Sequence, residues 1–184
     1  MQASADAVGR GLRLVRIFHR DGDSFGRLRP IEAAAVPAAP RVLLDHRHHM
    51  TVAMERRHGG PVRLRVVAER AAVATGAWYA REILLLGGDD AVVQHGIVRI
   101  DLATVKPDVA ATIRAGRIPL GRILLAADLL LEVQRVELLE IEPGPHLRSL
   151  FADSAGPAYG RVAEIVVNGR PAVELLEIVP PHAA

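Results

Sequence analysis

Arg81 stands in the middle of WYAREILLL, Trp78 to Leu86, a run whose other members are almost all apolar. Read at period two, Tyr79, Arg81, Ile83 and Leu85 share one side of a strand, and Trp78, Ala80, Glu82, Leu84 and Leu86 share the other. A guanidinium held there keeps its proton, so it needs a carboxylate from a neighbouring strand or an anionic ligand. A second anion-binding feature follows Pro119 in RIPLGRILLAA, where a short helix is predicted to start. Its first amides, at Leu120 and Gly121, have no intrahelical acceptor and are open to an anion. His95 and Gly96 lie inside AVVQHGIVRIDL, and a glycine within a strand often marks the close approach of a ligand. The segment RVLLDHRHHMTVAMERRHGG is rich in histidine, with His46, His48, His49 and His58. His46 and His49 could share a helix face, but no carboxylate completes a zinc spacing such as HExxH. A polar loop at a cleft mouth is the simpler reading, and no metal site is expected.

Several chemistries are closed by composition. There is no cysteine, which excludes disulfides, thiolate metal sites and a thiol nucleophile. No GxGxxG, Walker A or GxSxG motif occurs, so no organic cofactor is expected. The formal charge is +2, with Lys106 the one lysine among 23 basic residues, and the arginines are interspersed with acids rather than gathered in a stripe. That pattern does not fit a nucleic-acid surface. No signal peptide and no membrane-length apolar run are seen. A cytoplasmic protein without membrane or nucleic-acid partners is therefore expected, either monomer or homodimer.

The elements that position these residues read as follows. Residues 1–11 are small and polar and are expected to be disordered, and Leu12 to Phe18 alternates like a short strand. Residues 1–40 are thus an N-terminal arm, and 41–184 are the domain. IEAAAVPAAP reads as a short helix or linker broken by Pro37 and Pro40. Thr51 to Arg57 forms a helical turn with Thr51 as N-cap and Gly59-Gly60 as its stop. Val62 to Ala74, the strand of Arg81 and the strand of His95 form an antiparallel meander, with GGDD as one hairpin turn. Pro107 to Gly116 is a helix with proline at its start and glycine past its end. Leu129 to Pro143 is a fourth strand, from which Arg135 could reach the pocket. GPHLRSLFADSAGPA is a loop with at most one helical turn. YGRVAEIVV and RPAVELLEIVPP form a last hairpin through Asn168-Gly169. The fold class is α+β: an antiparallel sheet of about six strands, with a few short helices covering one face.

Four stretches together resemble the chorismate pyruvate-lyases, which release pyruvate from chorismate to leave 4-hydroxybenzoate. LLDHRHHMT, Leu43 to Thr51, is similar to a family segment preceding a short helix. WYAREILLL is similar to the strand that carries the substrate-binding arginine, which the resemblance assigns to Arg81. GRIPLGRIL, Gly116 to Leu124, is similar to a segment that lies over the pocket and offers a main-chain amide to a carboxylate, here Leu120. NGRPAVELLEIVPP resembles the closing hairpin with its catalytic glutamate. Counting forward from Gly169-Arg170-Pro171 puts that glutamate on Leu176, whereas counting back from Pro181 puts it on Glu177. Glu177 is preferred, because Val173, Leu175, Glu177 and Val179 then form one inward face, and a bulge near the hairpin would absorb the extra residue. Glu174 is the fallback.

The resemblance implies a cofactor-independent lyase acting on chorismate or a close relative, a small dianion. Arg81 would bind one carboxylate in bidentate fashion and Leu120 would add a fixed amide donor. Glu177 would hold the hydroxyl end of the ring and shuttle a proton, a role that an apolar surround would suit. A pericyclic route in which the protein mainly fixes geometry fits the same residues. His95 would stand beside the substrate, and Met50 with Thr51 would form part of a lid or simply join the core. Two other readings stay open: a diverged enzyme catalysing another elimination, dehydration or cyclisation, and a non-catalytic effector-binding module of the same fold.

Overall fold

The computed structural model describes residues 2–71, 78–152 and 154–181. Its centre is one antiparallel sheet of seven strands: β1 Gly26–Pro30, β2 Arg63–Ala71, β3 Trp78–Leu86, β4 Val92–Asp101, β5 Leu131–Pro143, β6 Ala158–Val167 and β7 Arg170–Val179, in the order β1-β5-β6-β7-β4-β3-β2. The α+β class is as the sequence implies, with one strand more than expected. The strand read as Val62 to Ala74 is seen as β2, and residues 72–74 lie outside the described residues. β3 is buried along almost its whole length, as its unbroken apolar pattern requires for a strand covered on both faces. Asn168 and Gly169 both have positive φ, 50° and 79°, as a two-residue hairpin turn demands.

Helices cover both faces of the sheet, which corrects the one-sided expectation. Over the face that carries Arg81 lie α3 Ala38–Leu44, α4 Met50–His58, α5 Pro107–Arg114 and α6 Leu120–Ala126. Over the reverse face lie α1 Gln2–Phe18, α2 Gly22–Phe25 and α7 Pro145–Leu150. α1 overturns the reading of residues 1–11 as disordered and of Leu12 to Phe18 as a short strand. Ala7, Arg10, Leu14 and Val15 recur at helical spacing, are all buried, and pack on the sheet. Arg10 on that face is satisfied by Glu137 at 2.7 Å. The arm is therefore part of the core, and β1 completes the edge of the sheet beside β5.

β7 carries the bulge that the sequence requires. Ile165 pairs with Val173 while Val166 pairs with Pro171, so Ala172 is the extra residue. Beyond it, Val173, Leu175, Glu177 and Val179 share a face. Close strand packing here depends on Gly160 of β6, where an added Cβ would lie 2.7 Å from the carbonyl oxygen of Glu177 and 3.0 Å from Ile141 Cδ1. Gly160→Ala should therefore cost about 1–3 kcal/mol, read as a lower urea midpoint. An unchanged midpoint would mean that β6 and β7 are not so tightly apposed. Among the described residues no helix is long and apolar enough to cross a membrane.

Candidate functional site

Arg81 is almost fully buried, at 1% exposure. Its Nη1 reaches the Ile113 carbonyl at 3.3 Å, and its buried Nε has no hydrogen-bond acceptor. Among the described residues, no carboxylate ion-pairs with it. An acidic group acts through a neighbour: Tyr79 on the same face donates to Glu69 of β2 at 2.9 Å. Burial pulls the guanidinium below its ordinary pKa, while the Tyr79 hydroxyl and Glu69 oppose that shift. An arginine with an unused buried donor is unusual, because buried polar groups are otherwise almost always paired.

The register across the sheet places the other floor residues in line. Glu82 of β3 lies opposite Ile97, so Arg81 and Ile83 share their face with Gly96, and Gly96 in turn lies opposite Glu177. Glu177 faces Arg161 of β6. Arg81, Gln94, Gly96, Arg161, Leu175 and Glu177 thus line one cavity. Gly96 keeps it open, since a Cβ there would press on the Ile83 side chain at 3.3 Å. The buried Oε1 of Gln94 has no hydrogen-bond partner, which adds a second unused polar group to this wall.

The roof is made by the starts of α4 and α6. His49, Met50 and Thr51 come from one, and Pro119, Leu120 and Gly121 from the other. Gly121 is required where they meet, because a Cβ would lie 2.9 Å from Thr51 Oγ1. An Arg122–Glu55 ion pair joins the same two helices. Leu120 opens α6 as expected, whereas α4 begins at Met50 with His49 as N-cap rather than Thr51. The cavity volume is about 50 Å³, on a scale where one water needs roughly 10–15 Å³. The cavity is partly open, and a guest larger than a few waters requires its lining to move.

Arg161 was not singled out in the sequence, yet it organises this end of the cavity. Its Nε donates to Glu177 Oε2 at 2.7 Å, and its two terminal nitrogens donate to the carbonyls of Leu44, His46 and His48 at 3.3, 2.7 and 3.3 Å. Every branch of its fork is engaged, so it clamps the histidine-rich loop and is not available to a guest. Glu177 accordingly has a guanidinium against it and not the apolar surround anticipated for a proton shuttle. Glu174 is excluded from the cavity: it points to the opposite face and pairs with Arg99 at 3.1 Å. Arg135 is also elsewhere, bound to Glu164 and Asp6 on the surface.

His95 corrects a sequence expectation. Because Gln94 and Gly96 face the cavity, His95 points to the reverse face, where its Nε2 lies 2.8 Å from Glu82 Oε1. It cannot contact a guest beside Arg81.

The histidine-rich loop lines the cavity and its outer mouth. His46 Nδ1 accepts from Arg161 at 3.2 Å and from the His48 amide at 3.1 Å. Burial lowers the His46 pKa from its ordinary 6.5, Arg161 lowers it further, and Glu177 partly offsets both. His49 is lowered as well, chiefly by burial. A histidine whose folded pKa is depressed binds fewer protons than in the unfolded chain. Stability from this source is present above about 6.5 and is lost as pH falls through that value and below. A His46→Gln/His49→Gln variant should therefore show a shallower fall of Tm between roughly pH 7 and 5 than the parent protein; an equal slope would assign the effect elsewhere.

The chain matches no protein-family model and no curated protein. Among solved structures it is similar to the gene product SA0254 from Staphylococcus aureus subsp. aureus N315, with a TM-score of 0.51 and 15% identity over 65% of this chain and 83% of that one. The C-terminal domain of histidine utilization repressor from Pseudomonas syringae pv. tomato DC3000 gives a TM-score of 0.48 at 18% identity, over 67% of this chain and 94% of that one. The possible transcriptional regulator YydK from Bacillus subtilis subsp. subtilis gives 0.46 at 8% identity, over 67% and 60%. At such identities the likeness to the staphylococcal protein concerns the fold alone.

Proposed function

We propose that this protein is an effector-binding module that takes a small organic anion, a carboxylate above all, onto Arg81 in this cavity. One contrast carries the reading. Arg81 lines the cavity and keeps a buried donor without a partner, while Glu177, the acid a lyase would need, is already ion-paired to Arg161. A bidentate carboxylate would satisfy the guanidinium, and the amides of Leu120 and Gly121 stand at the same wall. Gln94 offers a neutral hydrogen-bonding group for a hydroxyl or second polar substituent. Entry through the α4–α6 seam would couple binding to a movement of the roof, which is how an effector site reports occupancy.

A lyase on chorismate or a close relative is the second reading, favoured by one observation: Arg81, Leu120 and Glu177, the residues that the resemblance assigns to substrate and chemistry, line the same cavity. For it to operate, Glu177 would act as a carboxylate positioned by Arg161 rather than as a free acid. A panel of small carboxylates including 4-hydroxybenzoate and chorismate, followed by thermal shift and by pyruvate release, separates the two. Saturable stabilisation without pyruvate supports the binding module. Pyruvate release from chorismate supports the lyase, and no stabilisation by any carboxylate contradicts both.

A further inference from the structure

Four groups meet on the reverse face of the sheet, away from the cavity. Glu82 follows Arg81 in β3 and so points the other way, fully buried. His19, just past α1, places Nε2 at 3.1 and 3.0 Å from the two carboxylate oxygens. His95 of β4 places Nε2 2.8 Å from Oε1, and His146 of α7 places Nε2 2.7 Å from the same oxygen. The donor atoms of His19, Glu82 and His146 all lie within 4.8 Å of one another. Phe25 and Phe151 pack around the rings and keep the surroundings apolar.

We propose that His19, Glu82 and His146 form a binding site for a divalent transition-metal ion, zinc by donor type, with His95 orienting the Glu82 carboxylate. Two imidazole nitrogens and one carboxylate oxygen are the three protein ligands of a zinc centre whose fourth position is open to solvent. Zinc–nitrogen bonds of about 2.0–2.1 Å put tetrahedral donors about 3.4 Å apart, and the three donor atoms already lie within 4.8 Å of one another. His95 Nδ1 is buried and without a hydrogen bond. The ring's proton therefore sits on Nε2, which donates to Glu82 Oε1 and holds that carboxylate in place. His19 and His146 are partly exposed, at 14% and 25%, which leaves a way in. The three ligands come from the end of α1, from β3 and from α7, so the ion would fasten both ends of the reverse-face helical layer to the sheet.

Burial alone would raise the Glu82 pKa, but the hydrogen bonds from His146 and His95 outweigh it and hold the carboxyl well below the usual range. Burial lowers His95, with Glu82 opposing.

The test uses the full chain, stripped with chelator, dialysed and titrated with zinc chloride by calorimetry, with cobalt as a spectroscopic probe. One zinc per chain, a rise in Tm and the visible d–d absorption of four-coordinate cobalt are expected. His19→Ala and His146→Ala, at partly exposed positions, should each weaken zinc by more than the roughly 10–100-fold that loss of an outer-shell group brings. His48→Ala, in the loop on the other face, should leave the affinity unchanged. Absence of saturable one-to-one binding in the parent protein overturns the site, whatever the variants do. So does binding that survives in the His19→Ala/His146→Ala double variant, or that is lost in His48→Ala.

Discussion

Arg161→Leu is expected to destabilise the protein by about 3–5 kcal/mol, on the scale of a broken buried ion pair. The side chain is 1% exposed and its Glu177 partner 11%. Removing the guanidinium strands the Glu177 carboxylate in the sheet and releases the carbonyls of Leu44, His46 and His48 from their shared donor. For a chain of this size the loss corresponds to a Tm lower by roughly 10 °C. The cause can be separated from simple loss of volume. Arg161→Leu/Glu177→Leu removes both charges, so the double variant should be less destabilised than the sum of its singles. Urea denaturation at neutral pH measures all four corners of the cycle. Strict additivity, or a cost for Arg161→Leu below about 1 kcal/mol, would show that the pair is not the clamp described.

Arg81→Met should behave in the opposite way. The arginine has one long contact to the Ile113 carbonyl, the Tyr79 hydroxyl as a favourable neighbour and an unused Nε, and that carbonyl keeps its bond from the Gly116 amide at 3.2 Å. Methionine fills similar space without a charge to desolvate, so stability should be unchanged or higher. Affinity for a carboxylate guest should fall about 100-fold or more, the equivalent of about 3 kcal/mol of charge-assisted hydrogen bonding. A binding group retained at the expense of stability is the signature of a functional residue. If Arg81→Met unfolds the protein, the arginine is a structural element instead.

The candidate site was legible where local pattern decides position. An arginine within an unbroken apolar strand gave Arg81, and the coherent face Val173, Leu175, Glu177 and Val179 gave Glu177, together with the bulge now seen at Ala172. Arg161 carries the same signature in YGRVAEIVV, and the argument used for Arg81 would have found it. His95 was placed wrongly although strand alternation already forbids His95 and Gly96 from facing the same cavity. α1 was misread because LRLVRIF alternates by chance at period two; with the residues before it, the same text repeats at 3.6 and buries Ala7, Leu14 and Val15. The reverse-face cluster could not be read from spacing at all. His19, Glu82, His95 and His146 come from four separate elements, and the only local sign was an acid inside β3.

The central claim is that Arg81 waits for an anion. It is tested most directly by a crystal structure of the protein grown with an aromatic carboxylate such as 4-hydroxybenzoate. The account predicts the carboxylate seated on the Arg81 guanidinium, within hydrogen-bonding distance of Nε, with α4 and α6 moved apart to admit the ring. A cavity holding only water, with Arg81 turned onto Glu69, would contradict it.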